Sequence, residues 1–270
     1  MSTFRVRDIC DRLNHNPVQT QTGRMGSGQV PKGWGKMHTV LDLRGSIPES
    51  LYITDGRWHD SNFLDVHEPY KRAVYTMDKA YVDFEALYRK QRNETYFVTR
   101  PKDTMRFEVV ETNNNINDMV GIVSDRAIRL TITAKKYPED LRMVMFHDAV
   151  NDEVISFITN NMELGPLVIA NIYRNRWVIE TFFKWSKGNL TIKSLWGYSE
   201  SAVKIHSWVA ISYYLLLAWV KAALRSPLTI TEVAKVIEGH ILSKADLKTI
   251  LDVLEPLTQN QDVNELEFKF

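Results

Sequence analysis

The feature that most constrains this chain is a change of rhythm at Pro166. Between Lys36 and about Gly165 the apolar residues come in short, alternating runs. KMHTVLDL, SLYITDG, AVYTMD, TYFVTR, MRFEVVET, AIRLTIT, LRMVMFHD and EVISFIT are each bounded by polar or Gly/Pro turns. That is the period of strands. One helix interrupts them, DFEALYRKQ (Asp83–Gln91), with Phe84, Leu87 and Tyr88 at three- and four-residue spacing. After Pro166 the pattern is helical to the end. The order predicts an α/β domain with a β-rich insert: a first part over 36–100, the insert over 101–165 and a helical second part over 166–270. Residues 12–35, rich in Gly, Pro, Gln and Asn, show no apolar period and are expected to be irregular.

Composition excludes several classes. The net charge of +1 points to no partner by itself, so only local clusters carry information. One cysteine, Cys10, rules out a disulfide framework and fits a reducing, cytoplasmic setting. Seven scattered histidines give no zinc spacing, and the GSG at 26–28 lacks the flanking strand and helix of a phosphate loop. His38 and His59 are expected to be structural, and Asp60 a turn or N-cap residue. The opening MSTFRVRDICDR has no apolar core of a secretory signal. The thirteen residues WVAISYYLLLAWV fall short of the ~20 a membrane span needs, so a core helix and no membrane partner are expected. SKADLKTILDVL (Ser243–Leu254) opens with a capping signal and is expected to be a terminal helix.

The chemistry concentrates in NIYRNRWVIETFFKWSKG (171–188). On a helix over 169–187, Tyr173, Arg176, Glu180 and Lys187 fall within ~60° of one another. Trp177 and Lys184 border that stripe. Ile172, Val178, Ile179, Phe182, Phe183 and Trp185 take the opposite side. A solvated helix with an Arg176–Glu180 pair is the simple reading. Two aromatics beside the charges, and Lys193 joining Lys184 and Lys187, instead suit a phosphodiester held beside a metal-binding acid.

The spacing Tyr173-x2-Arg176-x3-Glu180-x6-Lys187 resembles the Y-R-E-K signature of DDE transposases of bacterial insertion sequences, the insertion sequence four group. RNRWVIETFFKWSKGNLTIKSLWGYSESAV is similar to that family's helix and the segment after it. KMHTVLDLRGSIPESLYITDGRWHD resembles its β-hairpin region, YTMDKAYVDFEALY its second acidic motif and FVTRPK the following strand. The similarity runs from about Lys36 to about Leu224. It implies a ribonuclease-H-like core with a β-rich insertion before the last catalytic helix. It also implies strand cleavage and transfer at element ends, using two Mg²⁺ (or Mn²⁺) ions.

By that resemblance Asp78 and Glu180 are the second and third catalytic, metal-binding acids. Tyr173, Arg176, Lys187, Lys184 and Lys193 hold double-stranded DNA, and a homodimer associated with the nucleoid is implied. The family's first aspartate stands on a strand ahead of the Lys-x-His segment, in an Asp-Ser-Thr or Asp-Thr-Thr context. Here no such strand is expected before Lys36, and Asp8 and Asp11 lack that context. Residues 1–35 therefore read as an irregular remnant outside the family pattern, left by truncation or a shifted frame. Impaired cleavage, or a non-catalytic DNA-binding or regulatory role, follows from that expectation.

Overall fold

The computed structural model describes residues 16–24, 36–43, 47–54, 57–114, 121–189, 200–240 and 249. The fold is a ribonuclease-H-like α/β core built on a nine-stranded mixed sheet, in the order β3-β2-β1-β4-β5-β9-β8-β7-β6. The strands are β1 (Asn16–Arg24), β2 (Lys36–Asp42), β3 (Ile47–Thr54), β4 (Ala73–Met77), β5 (Tyr96–Thr99), β6 (Phe107–Thr112), β7 (Ile122–Leu130), β8 (Leu141–Asp148) and β9 (Glu153–Thr159). The helices are α1 (Phe63–Val66), α2 (Phe84–Arg92), α3 (Pro166–Arg174), α4 (Trp177–Asn189), α5 (Glu200–Leu224) and α6 (Ile230–His240).

Two expectations fail. Residues 12–35 are not irregular throughout, because Asn16–Arg24 is a strand in the first half of the sheet. It pairs antiparallel with β2 (Val18↔Asp42 to Arg24↔Lys36) and parallel with β4 (Asn16↔Ala73 to Thr20↔Met77). Its sequence, NPVQTQTGR, has one large aliphatic residue, so its conformation is set by the two ladders beside it rather than by its own pattern. The single helix over 169–187 is also two helices. α3 ends at Arg174 and α4 begins at Trp177, and the junction is tightened by Arg176 N→Tyr173 O (2.9 Å) and Val178 N→Asn175 O (3.0 Å). These three-residue steps are those of a 3₁₀ turn.

Strand β4 is buried at every residue, as a central parallel strand must be. Its side chains divide between two layers with period two. Tyr75 and Met77 join Phe63, Tyr81 and Leu87 under α1 and α2. Val74 faces the other way, with Val98, Phe157, Ile169, Ile172 and Tyr173 under α3. A third cluster joins Met37 and Leu41 of β2 to Ile179 and Phe182 of α4, Tyr214 and Leu217 of α5 and Val233 of α6. Pro48 is accommodated because β3 is an edge strand.

The inserted strands β6–β9 extend the same sheet through two β5–β9 residue pairs, Val98↔Thr159 and Thr99↔Ile158. Asn160 lengthens that thin joint. Its Oδ1 accepts from Phe97 N (2.9 Å) and its Nδ2 donates to Thr95 O (2.9 Å). Arg142 of β8 then fastens the insert to the loop before α3. It donates to both Asp125 oxygens (2.7 and 2.8 Å) and to the Leu164 carbonyl (2.5 Å).

Helix α5 corrects the expectation of a core helix in part. Ala210, Ile211, Tyr214 and Leu217 are buried, whereas Trp208, Leu216 and Trp219 are exposed. Lys204–Leu224 is long and apolar enough to cross a membrane by length and composition, with 28% of its most apolar window buried. The thirteen-residue run understated the helix because its flanks, SAVKIHS and KAAL, continue it. The terminal helix expected at Ser243–Leu254 lies outside the described residues, Thr249 excepted.

Candidate active site at the carboxyl ends of two parallel strands

Strands β4 and β5 are parallel neighbours, so whatever follows them leaves the sheet at one edge. In open α/β sheets that edge is where ligands bind. Asp78 follows β4 and Arg100 follows β5. Asp78 caps a 3₁₀ turn, Lys79–Tyr81, by accepting from Ala80 N at 3.0 Å through Oδ1. Its Oδ2 has no hydrogen-bond partner among the described residues. Capping thus occupies one oxygen and leaves the other.

Helices α3 and α4 bring the remaining groups to this edge. Tyr173, in the last turn of α3, is buried with its ring 4.9 Å from that of Phe157. The continuous wheel puts it on the charged stripe opposite the apolar side, whereas it packs into the core under α3. Arg176, in the break between the helices, places its guanidinium carbon 5.6 Å from the Tyr173 ring centroid. Its Nη1 lies 2.6 Å from Glu180 Oε1. Arg176 is 18% exposed and Glu180 52%, so the pair spans the border between core and solvent.

The electrostatics link both acids through these residues. Burial works against the charge of Arg176, but Tyr173, Glu180 and Asp78 outweigh it and hold the guanidinium above its ordinary range. Burial raises the Tyr173 phenol, helped by Asp78 and opposed by Arg176 and Arg100. Asp78, Tyr173, Arg176, Glu180 and Arg100 therefore form one electrostatic cluster. Arg100 was missed by the sequence reading, although FVTRPK carried its signal: a cation one residue past a strand parallel to that of Asp78.

Along α4, Lys184 is exposed one turn beyond Glu180. Lys187 belongs to the same helix, three residues further on, and its side chain lies outside the described part of the structure. Lys193 lies outside the described residues. The apolar assignments hold, because Ile172, Val178, Ile179, Phe182, Phe183 and Trp185 are all buried. Asn175, between Tyr173 and Arg176, is 1% exposed, and neither of its amide atoms has a hydrogen-bond partner among the described residues.

The structural readings of the other polar residues also hold. His38 is buried, 2.9 Å from Thr54 Oγ1 and stacked on Phe63. His59 caps the 3₁₀ turn that Asp60 opens, so the turn belongs to Asp60 and the cap to its neighbour. No group of three or more His, Cys, Asp or Glu residues among those described could hold a metal ion. Asp78 and Glu180 each have one oxygen engaged and one free of hydrogen bonds among the described residues. That donor set suits one hydrated Mg²⁺ or Mn²⁺, which needs only one or two carboxylates plus water. It does not suit a bridged pair of ions. Strand β1, the neighbour of β4 on the side away from β5, contains no carboxylate at all.

Residues 16–216 match the family model described as the transposase DDE domain. The match opens at the first residue of β1, well ahead of Lys36, where the similarity had been expected to begin. A Sinorhizobium fredii protein named "Putative transposase y4zB" is 31% identical over 186 residues, covering 67% of this chain and 52% of its own length. A Geobacillus stearothermophilus protein named "Probable transposase for insertion sequence element IS5377" is 30% identical over 212 residues, 75% of this chain and 55% of its own. A Synechocystis protein named for insertion sequence element IS4SA is 27% identical over 189 residues, 67% and 52% respectively. The chain thus spans about half the length of the curated relatives it matches.

Proposed function

Because the chain belongs to the transposase DDE domain family, we propose that it binds the ends of an insertion sequence and holds a divalent cation against the scissile phosphodiester. The observation that carries this reading is Arg176. One half-buried guanidinium is held by Tyr173 and Glu180 and lies in the field of Asp78, at the carboxyl edge of β4 and β5. Asp78 and Glu180 would hold the ion through the carboxylate oxygens that hydrogen bonding leaves free, and when bound it would supply Lewis-acid chemistry to the phosphodiester.

The chain's own residues do the rest. Arg176, fixed on the Tyr173 ring, binds a phosphate oxygen with the donors that Glu180 leaves free, and burial strengthens that contact. Lys184, Lys187 and Lys193 hold flanking phosphates, which positions DNA without reading its sequence. Arg100 neutralises the phosphate from the β5 side.

A reduced cleavage activity goes with this reading. The sheet supplies the strand on which a first acid would stand, but β1 offers Gln and Thr beside β4. Two carboxylates leave a second ion without a shared ligand. The second reading, a DNA-binding or regulatory protein without cleavage activity, is favoured by this same strand.

The test is a pair of assays on double-stranded DNA carrying the ends of its own element. Binding is followed by fluorescence anisotropy, and nicking on gels with Mg²⁺ or Mn²⁺. We expect binding that weakens about tenfold or more in Arg176→Gln, with little or no nicking. Failure to bind DNA at low salt would sink the proposal. Nicking abolished by Asp78→Ala would show a competent centre and overturn the impairment.

A further inference from the structure

Of the four arginines in the inserted segment, three have oxygen partners. Arg129 donates to both Asp140 oxygens, Arg142 to both Asp125 oxygens and Arg106 to the Asp103 and Met105 carbonyls. Arg126 of β7 is half-buried and makes no hydrogen bond or ion pair among the described residues. Its Nε is closed off from solvent, while the two Nη atoms stay open. A half-buried charge with no counter-charge is unfavourable, so something outside the fold has to balance it.

The register shows why no acid reaches it. Arg126 is paired with Thr112 of β6 and Met143 of β8, and its same-face neighbours along β7 are Ser124 and Ile128. Asp125 takes the opposite face, where Arg142 and Asn113 engage it. Ser124 is 6% exposed, and its hydroxyl also has no hydrogen-bond partner among the described residues. Hydrogen-bonding capacity on this face is therefore unspent in the free protein, and a guanidinium with an open fork suits an oxyanion.

The row that holds Arg126 runs through Met143 and Ile158 to Thr99, the last residue of β5. Ser124 belongs to the next row, beyond the carboxyl end of β5. Arg126 thus stands level with the edge that Asp78 and Arg100 occupy, four strands from β4. At ~4.8 Å per strand the separation is roughly 19 Å, about five or six base pairs of duplex. Helix α4 packs over β1, on the other side of β4. We infer that Arg126 is a phosphate contact for duplex DNA, carried by the insert on the side of Asp78 away from α4. The inference rests on the DNA-binding reading above.

Arg126→Met keeps the packed stem and removes the charge. The free variant should melt about 2 °C or more above the wild type, because an unbalanced charge is gone. On duplex carrying the element's ends it should bind about five- to tenfold more weakly at ~0.1 M salt, with the salt slope reduced by about one. Arg126→Lys should keep the slope, and Arg129→Gln, on the other face of the same strand, should bind as the wild type does. In hydroxyl-radical footprinting the protection lost in Arg126→Met should lie on the opposite flank from that lost in Lys184→Gln. An Arg126→Met variant that binds like the wild type overturns the inference and leaves the Arg176 site standing. So does one that melts lower, which makes Arg126 a structural residue, or one whose lost protection falls on the Lys184 flank. A wild type that binds no duplex at low salt ends both readings.

Discussion

His67 shows what burial does to a single residue here. It lies 3.4 Å from the Tyr75 hydroxyl and is stacked on Phe63, 8° from parallel. Phe63 carries His38 in a similar stack, 7° from parallel. Burial, with Lys90 nearby, lowers the His67 pKa to about 4. An unfolded chain binds that proton with a pKa near ~6.5. Between the two values the unfolded state holds more protons, so stability rises with pH and is lost as pH falls from about 6.5 to about 4. The loss attributable to this ring is about 3 kcal/mol. His67→Phe keeps the stack and should flatten that part of the profile, as read by urea denaturation at pH 7 and pH 4.5. An unchanged profile would mean that another group carries the acid sensitivity. The Tyr75 hydroxyl keeps a partner in that variant, because it accepts from Tyr70 N at 3.0 Å.

At the scale of elements, the strands between Lys36 and Thr159 could be read because their apolar residues alternate. What could not be read was set by neighbours. β1 has one large aliphatic residue, Val18, and becomes a strand because β2 and β4 flank it. The α3–α4 break lies in an unbroken helical pattern, where no Gly or Pro marks Asn175 and Arg176. Asp78 and Glu180 could be found by motif, whereas grouping Arg100 with them required knowing that β4 and β5 are parallel neighbours. A different constraint acts at the start of β7. Gly121 has φ +84°, and a Cβ there would meet the Phe146 ring at 2.5 Å. Gly121→Ala should therefore cost about 1–3 kcal/mol, from a positive φ combined with a clash. Thermal unfolding reads this directly, and a melting temperature unchanged within a degree would contradict it.

For the whole molecule, a net charge of +1 means that the DNA affinity proposed above has to come from a local array and not from the overall field. If Arg176, Lys184, Lys187 and Lys193 each neutralise one phosphate, log K should fall with log salt at a slope of about −3 to −4. Lys184→Gln should reduce that slope by about one, measured by anisotropy between low and moderate salt. A slope near zero would mean that the array does not touch the backbone.

The place of β1 also sets a schedule for synthesis. Among the described strands it leaves the ribosome first, and its partner β2 follows closely. Its other partner, β4, comes roughly 55 residues later. At ~5–20 residues per second the wait lasts about 3–10 s. Throughout it, the β1–β2 ribbon carries an open edge in a crowded cell, and such an edge is a template for pairing with other chains. Yield of this protein should therefore depend on holding factors that cover nascent strands, and on the pace of translation across the 43–72 stretch.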